Sequence, residues 1–287
     1  MQQVINGLSS GAVYALIALG YSLIFSVMRM VNMAHCDVMM AGAYTGWLCA
    51  DYLGLGLFAS CAAAALVCGA LGLVIERLVC RPIRGAGLSL MTASIGVSLL
   101  IEYIFMLVFG ADARAYPPGF TGGVLSAGGL NLPQSKLTAL GAALILALVL
   151  QIFLFNTQRG RAMRAVADDE KAARLCGIDE KKAAGLAFAA GSALAGAAGV
   201  IYGSMYLVTP LMGVSPGMKA FAAAVIGGIG DLGGAVLGGF VLGLTETLAG
   251  NLFGTAFKNA AAYIILIVIL LLSPGGLTGS KFGKARL

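Results

Sequence analysis

VINGLSSGAVYALIALGYSLIFSV, residues Val4 to Val27, runs for 24 residues without an Asp, Glu, Lys, Arg or His. At ~1.5 Å of rise per residue, a helix of this length covers a hydrocarbon layer of about 30 Å, so the run reads as a membrane crossing. Further apolar stretches follow at Asn32 to Cys49, Leu55 to Ile75, Leu88 to Phe109, Leu137 to Phe155, Ala183 to Val208, Gly217 to Ile229, Gly233 to Leu248 and Asn259 to Leu272. Gly217 to Ile229 is short and punctuated by glycine, and is expected to be broken or re-entrant. The sequence therefore predicts an all-α polytopic membrane protein of about eight or nine segments, a single transmembrane domain over residues 1–287. A cleaved signal peptide is the competing reading of the first run. Met1 to Gln3 place no basic residue ahead of it, and the run exceeds the usual apolar region of such peptides.

Composition agrees. Of 287 residues, 60% are hydrophobic and 10% charged, where a soluble domain carries roughly a quarter charged residues. A water-soluble globule is excluded. The 42 glycines follow no collagen period and lie within apolar runs, where they let helix backbones approach closely. GxxxG spacings occur at Gly7/Gly11, Gly234/Gly238 and Gly239/Gly243. Six cysteines without paired CxxC spacing and one histidine indicate neither a disulfide framework nor a metal site.

The net charge of +6 would suggest nucleic acid if its basic residues formed a soluble patch. They are instead distributed between alternate loops. One set holds Arg29; Arg77, Arg81 and Arg84; Arg159, Arg161, Arg164, Lys171, Arg174, Lys181 and Lys182; and Lys281, Lys284 and Arg286. The other holds Arg114, Lys136, Lys219 and Lys258. By the positive-inside rule the first set is cytoplasmic, which puts the N-terminus outside, the C-terminus inside, and no nucleic acid among the partners.

Two loops have a character of their own. Residues 110–136, rich in Gly and Pro, read as an ordered, non-helical external cap. Residues 156–182 read as a cytosolic segment in which Arg161 to Cys176 form a short helix stopped at Gly177, with Glu170 and Arg174 four apart. A docking helix and a plain solvated connector both fit that composition.

No phosphate-binding GxxxxGK[ST], HExxH or GxSxG motif is present, so the chain is not expected to be an enzyme or to hydrolyse ATP itself. A polytopic chain without such chemistry reads as a transporter. Its intramembrane polar residues then become informative, because an ionised group at mid-bilayer costs ~2.5–3.5 kcal/mol on insertion scales. Asn32, His35 and Asp37 lie just after the first run and fit either an interfacial cap or a pathway. Glu102 is expected to snorkel at an outer end, and Glu246 to be buried or cavity-facing. The run GGIGDLGG at 227–234 is too glycine-dense for a continuous helix and is expected to turn or unwind, leaving Gly227 and Gly228 near the substrate route.

NGLSSGAVYALIALGYSLIFSVMRMVNMAHCDVMMAGAY (6–44), ERLVCRPIRG (76–85), RGRAMRAVADDEKAARLCGID (159–179) and GMKAFAAAVIGGIGDLGGAVLGG (217–239) together resemble the permease subunit of branched-chain amino acid ABC transporters, the LivH type. The similarity runs in order along nearly the whole chain. Cys36 stands where that family has glycine in N-[FM]-A-H-G-[DE]. The resemblance implies an ABC importer permease of the bacterial inner membrane, importing leucine, isoleucine and valine. It implies a second permease of the LivM type, two ATPase subunits that bind ATP and Mg, and an extracytoplasmic binding protein; this chain itself carries no cofactor. It further implies a coupling segment carrying Arg161, Arg164, Asp168, Glu170, Ala173 and Gly177. A pathway near Asn32, His35, Asp37, Gly227, Gly228 and Glu246 is the accompanying expectation. A permease for urea or short-chain amides of the same broader family, an ion-coupled transporter and a membrane-embedded enzyme are the alternatives.

Overall fold

Each apolar stretch forms a helix in the computed structural model, which describes residues 2–85, 87–127 and 130–278. In chain order they are α1 (Gln2–Met28), α2 (His35–Leu53), α3 (Leu57–Ile75), α4 (Gly87–Phe109), α5 (Gln134–Asn156), α6 (Gln158–Asp168), α7 (Glu170–Leu175), α8 (Glu180–Met205), α9 (Val214–Gly227), α10 (Leu232–Leu252) and α11 (Phe257–Leu272). A π turn, Glu76–Cys80, extends α3. Six helices are long and apolar enough to cross a membrane: α1, α3 with its π turn, α4, α5, α8 and α10. The 19-residue α2 is not among them, and α9 and α11 are shorter apolar helices. The loop between α4 and α5 contributes a two-stranded antiparallel ribbon, β1 (Val124–Ala127) with β2 (Leu130–Pro133), in which Val124 pairs with Pro133.

α1 is the axis of the bundle. It is buried along most of its length and packs on α5, α8, α9 and α10. Glycine makes that possible. Between helices in a membrane, attraction comes from van der Waals fit, so backbones that approach closely replace the missing hydrophobic drive. α10 uses two glycine faces. Gly239 and Gly243 press on α1 at Ala15 and Gly11, while Gly234 and Gly238 press on α9 at Gly227 and Ala223. The outer helices differ: α4 and α11 leave most of their leucines and isoleucines exposed, as lipid or a protein partner allows.

α9 and α10 form an antiparallel hairpin. α9 ends at Gly227, Gly228 takes φ 110°, and the Asp231 side chain accepts a hydrogen bond from the Gly233 amide to start α10. The expected break at 227–234 is thus a turn between two helices. The segment after α11 closes on it, with the Leu277 amide donating to the Ile226 carbonyl at 2.8 Å.

The loops gather at two ends of the bundle. At one, Arg29 reaches Ala167 and Arg84 reaches Glu170, which joins three basic connections. At the other, Lys136 donates to Asn6 at 2.8 Å and Arg114 bridges to Val208 through the backbone. Lys281, Lys284 and Arg286 lie outside the described residues.

Candidate functional site

The basic end face is built on the connection between α5 and α8, where the expected single helix from Arg161 to Cys176 is two. Asp169 leaves the helical region, at φ −150° and ψ 108°, and its carboxylate accepts from the amides of Lys171 and Ala172. An aspartate that can cap does so in preference to continuing a helix. Those amide bonds, Ala172 first, hold the Asp169 carboxyl below the usual carboxylate range. Asp179 caps α8 in the same way through Lys182 and Lys181, with the same effect. Gly177 ends α7 at φ 80°, where the Ile178 amide donates to Ala173 and the Gly177 amide to Arg174, which closes a Schellman turn.

Salt bridges brace this elbow. Arg84, from the loop before α4, lies 3.6 Å from Glu170 and 3.9 Å from Glu180, while Arg174 pairs with both glutamates. Arg29 donates to the Ala167 carbonyl at 2.6 Å, so a cation meets the C-terminal end of α6 and ties it to α1.

The six residues expected to couple separate into different environments. Arg161, Asp168 and Gly177 are exposed. Glu170 joins the brace. Arg164 is committed to the end of α5, donating to Leu154 at 3.2 Å and lying 4.2 Å over the Phe155 ring. Ala173 is 4% exposed, packed inside the chain's own fold, whereas Leu175, absent from the expectation, is 90% exposed at the apex. On a six-residue helix, side chains two positions apart point to different faces, and sequence alone did not say which face turns inward.

The intramembrane polar residues form two groups. In the first, Asn32 accepts from the Ala34 amide at the start of α2, whose cap residue Ala34 makes no side-chain bond. His35 is buried over Gly20, 4.6 Å from the Tyr21 ring, and so fills a notch between helices. Asp37 accepts from Ser98, while Ser94 accepts from the Met33 amide. Glu102 is buried, at 8% exposure. Ser94, Ser98 and Glu102 recur every four residues, one face of α4, so Glu102 turns into the bundle and does not snorkel.

The second group is an ion pair. Lys219 Nζ lies 2.7 Å from Glu246 Oε1, and Tyr14 donates to Glu246 Oε2 at 2.9 Å. Lys219 stands 5.8 Å over the Tyr14 ring. Sequence reading put Lys219 among the external loop residues. It sits inside α9, 6% exposed, because the antiparallel hairpin brings it beside Glu246. The signal that could have found it was one lysine in an apolar helical stretch, which needs a counter-ion. Gly227 and Gly228 lie at the far end of the same hairpin.

Comparison with known proteins agrees with this architecture. The family described as branched-chain amino acid transport system / permease component matches residues 3–274. The permease BraD of Pseudomonas aeruginosa is 36% identical over 97% of this chain and 95% of its own length. LivH of Escherichia coli K12 is 35% identical with the same coverage. LivM of that organism is 25% identical over 90% of this chain and 66% of its own length. Among solved structures, PsaBC from Streptococcus pneumoniae, in complex with Fab, aligns at a TM-score of 0.52 and 14% identity. It covers 98% of this chain and 94% of that one, a likeness of fold alone. With the family matched from residue 3 to 274 and about a third of residues shared with BraD and LivH, this chain belongs to the branched-chain amino acid transport permeases.

Proposed function

We propose that the chain is one of two permease subunits of an importer for leucine, isoleucine and valine, driven by two separate ATPase subunits and fed by an extracytoplasmic binding protein. The chain lies in the bacterial inner membrane. Its basic end face, with Arg29, Arg84 and the 156–182 segment, is cytoplasmic, its N-terminus is outside and its C-terminus inside. ATP and Mg are bound by the partners.

The observation that carries the reading is the elbow between α6 and α7. Leu175 stands exposed on a helix braced by Arg84, Glu170, Arg174 and Glu180, and the elbow is tied to the central helix by Arg29. An apolar side chain held rigidly in a charged rim is the form of a docking knob, since a buried anchor supplies affinity and the rim supplies register. Closure of the ATPases against it then moves α6 and α1 together. The experiment is reconstitution in proteoliposomes with the second permease, the ATPases and the binding protein. ATP hydrolysis stimulated by leucine-loaded binding protein, with leucine uptake, is expected; uptake of urea or an amide in its place overturns the substrate.

A further inference from the structure

The zwitterion that this importer would carry sets a condition on its route. In a low-dielectric environment both of its charges need partners of opposite sign. Among the described residues Lys219 is the single buried Lys or Arg, and it lies against Glu246. The other buried carboxylates, Asp37, Glu76 and Glu102, either have no lysine beside them or, in the case of Glu76, pair with Arg81 at the π turn.

We propose that Lys219 and Glu246 form the intramembrane subsite at which a zwitterionic amino acid exchanges its charges during passage, its carboxylate taking Lys219 and its ammonium taking Glu246. This rests on the importer reading above. One ion pair opens and two form, so the net charge of the site does not change, and Tyr14 keeps its hydrogen bond to Glu246. Two observations place the pair beside a route. Lys219 lies one helical turn beyond Ser215, which is exposed on the same face of α9. On α8, which packs on α1, the Tyr202 and Tyr206 rings lie 4.6 Å apart in a tilted arrangement, and Tyr206 is half-exposed at the helix end. α9 is moreover a short helix bounded by Gly213 and Gly228, the kind of discontinuous element around which intramembrane sites are built.

A purely structural latch makes a different demand on the same residues. Replacing a buried ion pair by neutral side chains of similar size is often harmless to stability, so Lys219→Met with Glu246→Gln should leave a latch intact. The full transporter carrying both changes is purified, reconstituted and supplied with leucine-loaded binding protein. The expected result is recovery of the assembled complex with leucine uptake per ATP hydrolysed reduced by about tenfold or more. Uptake per ATP within about twofold of the unaltered transporter overturns the proposal. Should that variant fail to assemble, Ser215→Cys, which keeps the ion pair and lies one turn away on the same face of α9, is labelled by a small cationic thiol reagent during turnover. Labelling slowed by saturating leucine is expected, and labelling indifferent to leucine overturns the subsite. Failure of the unaltered complex to take up leucine would instead sink the importer reading, which keeps the two outcomes apart.

Discussion

Gly243 of α10 lies on the backbone of Gly11 of α1: a Cβ on Gly243 would stand 2.4 Å from the Gly11 Cα. Two GxxxG spacings 228 residues apart, Gly7/Gly11 and Gly239/Gly243, are thus partners in one interface within the chain. No second copy is needed to explain either.

The first prediction follows from that contact. Gly243→Val forces the backbones apart, and overpacking of this kind costs about 1–3 kcal/mol or more. Leu237→Ala, on the exposed side of α10, should be close to neutral. Thermal unfolding of the purified permease in detergent distinguishes them. Equal midpoints would mean that α1 and α10 are not packed as described.

Gly228 takes φ 110°, outside the region open to other residues. Gly228→Ala is expected to cost about 1–3 kcal/mol in backbone strain. Leu237→Ala, at an exposed position on α10, again serves as the control. Transport and unfolding temperature unchanged in Gly228→Ala would remove the turn from its place in the fold.

The capping carboxylates make the elbow acid-sensitive. Asp169 and Asp179 are held below their ordinary value of 3.8 by backbone amides. Their contribution is complete above that unfolded value and is lost as pH falls through the lowered folded value. Amide exchange at Lys171 and Ala172, corrected for the intrinsic rate, should therefore rise in acid. Asp169→Asn keeps a cap without the charge, so its corrected rates should be flat over the same range. An identical acid response in both proteins would rule out Asp169 as the titrating group.

Leu175 and Ala173 should behave differently. Leu175→Asp removes the exposed knob without touching the fold, so the permease should purify in normal yield but retain little ATPase. Ala173→Trp, at a buried position, should lower yield first. Normal ATPase retention by Leu175→Asp would show that the apex is not the docking point. Glu170→Gln is expected to weaken retention only slightly, since partly exposed ion pairs contribute little.

Sidedness can be read from a native thiol. Cys176 is the exposed cysteine among the described residues, the other five being buried. An impermeant thiol reagent should reach it from the cytoplasmic side only, and should reach Asp112→Cys, in the exposed opposite loop, from outside. The reverse pattern would invert the orientation.

Local sequence determined which segments are helices, that they belong in a membrane, and where several of them stop. A run such as Val4 to Val27 has no stable place in water. Gly177 and Gly228 take up positive φ angles that other residues avoid, and basic residues separated into alternate loops already imply two unlike ends. Partners distant along the chain were decided by the tertiary structure alone. The hairpin of α9 and α10 carries Lys219 from an apparent loop to a position beside Glu246, and helix packing turns Glu102 from an outer edge into the bundle. It also hides Ala173 and presents Leu175. Apolar period and glycine spacing specify that a helix has a close-packing face; which helix meets that face depends on the simultaneous fit of several backbones, and no single segment contains that information.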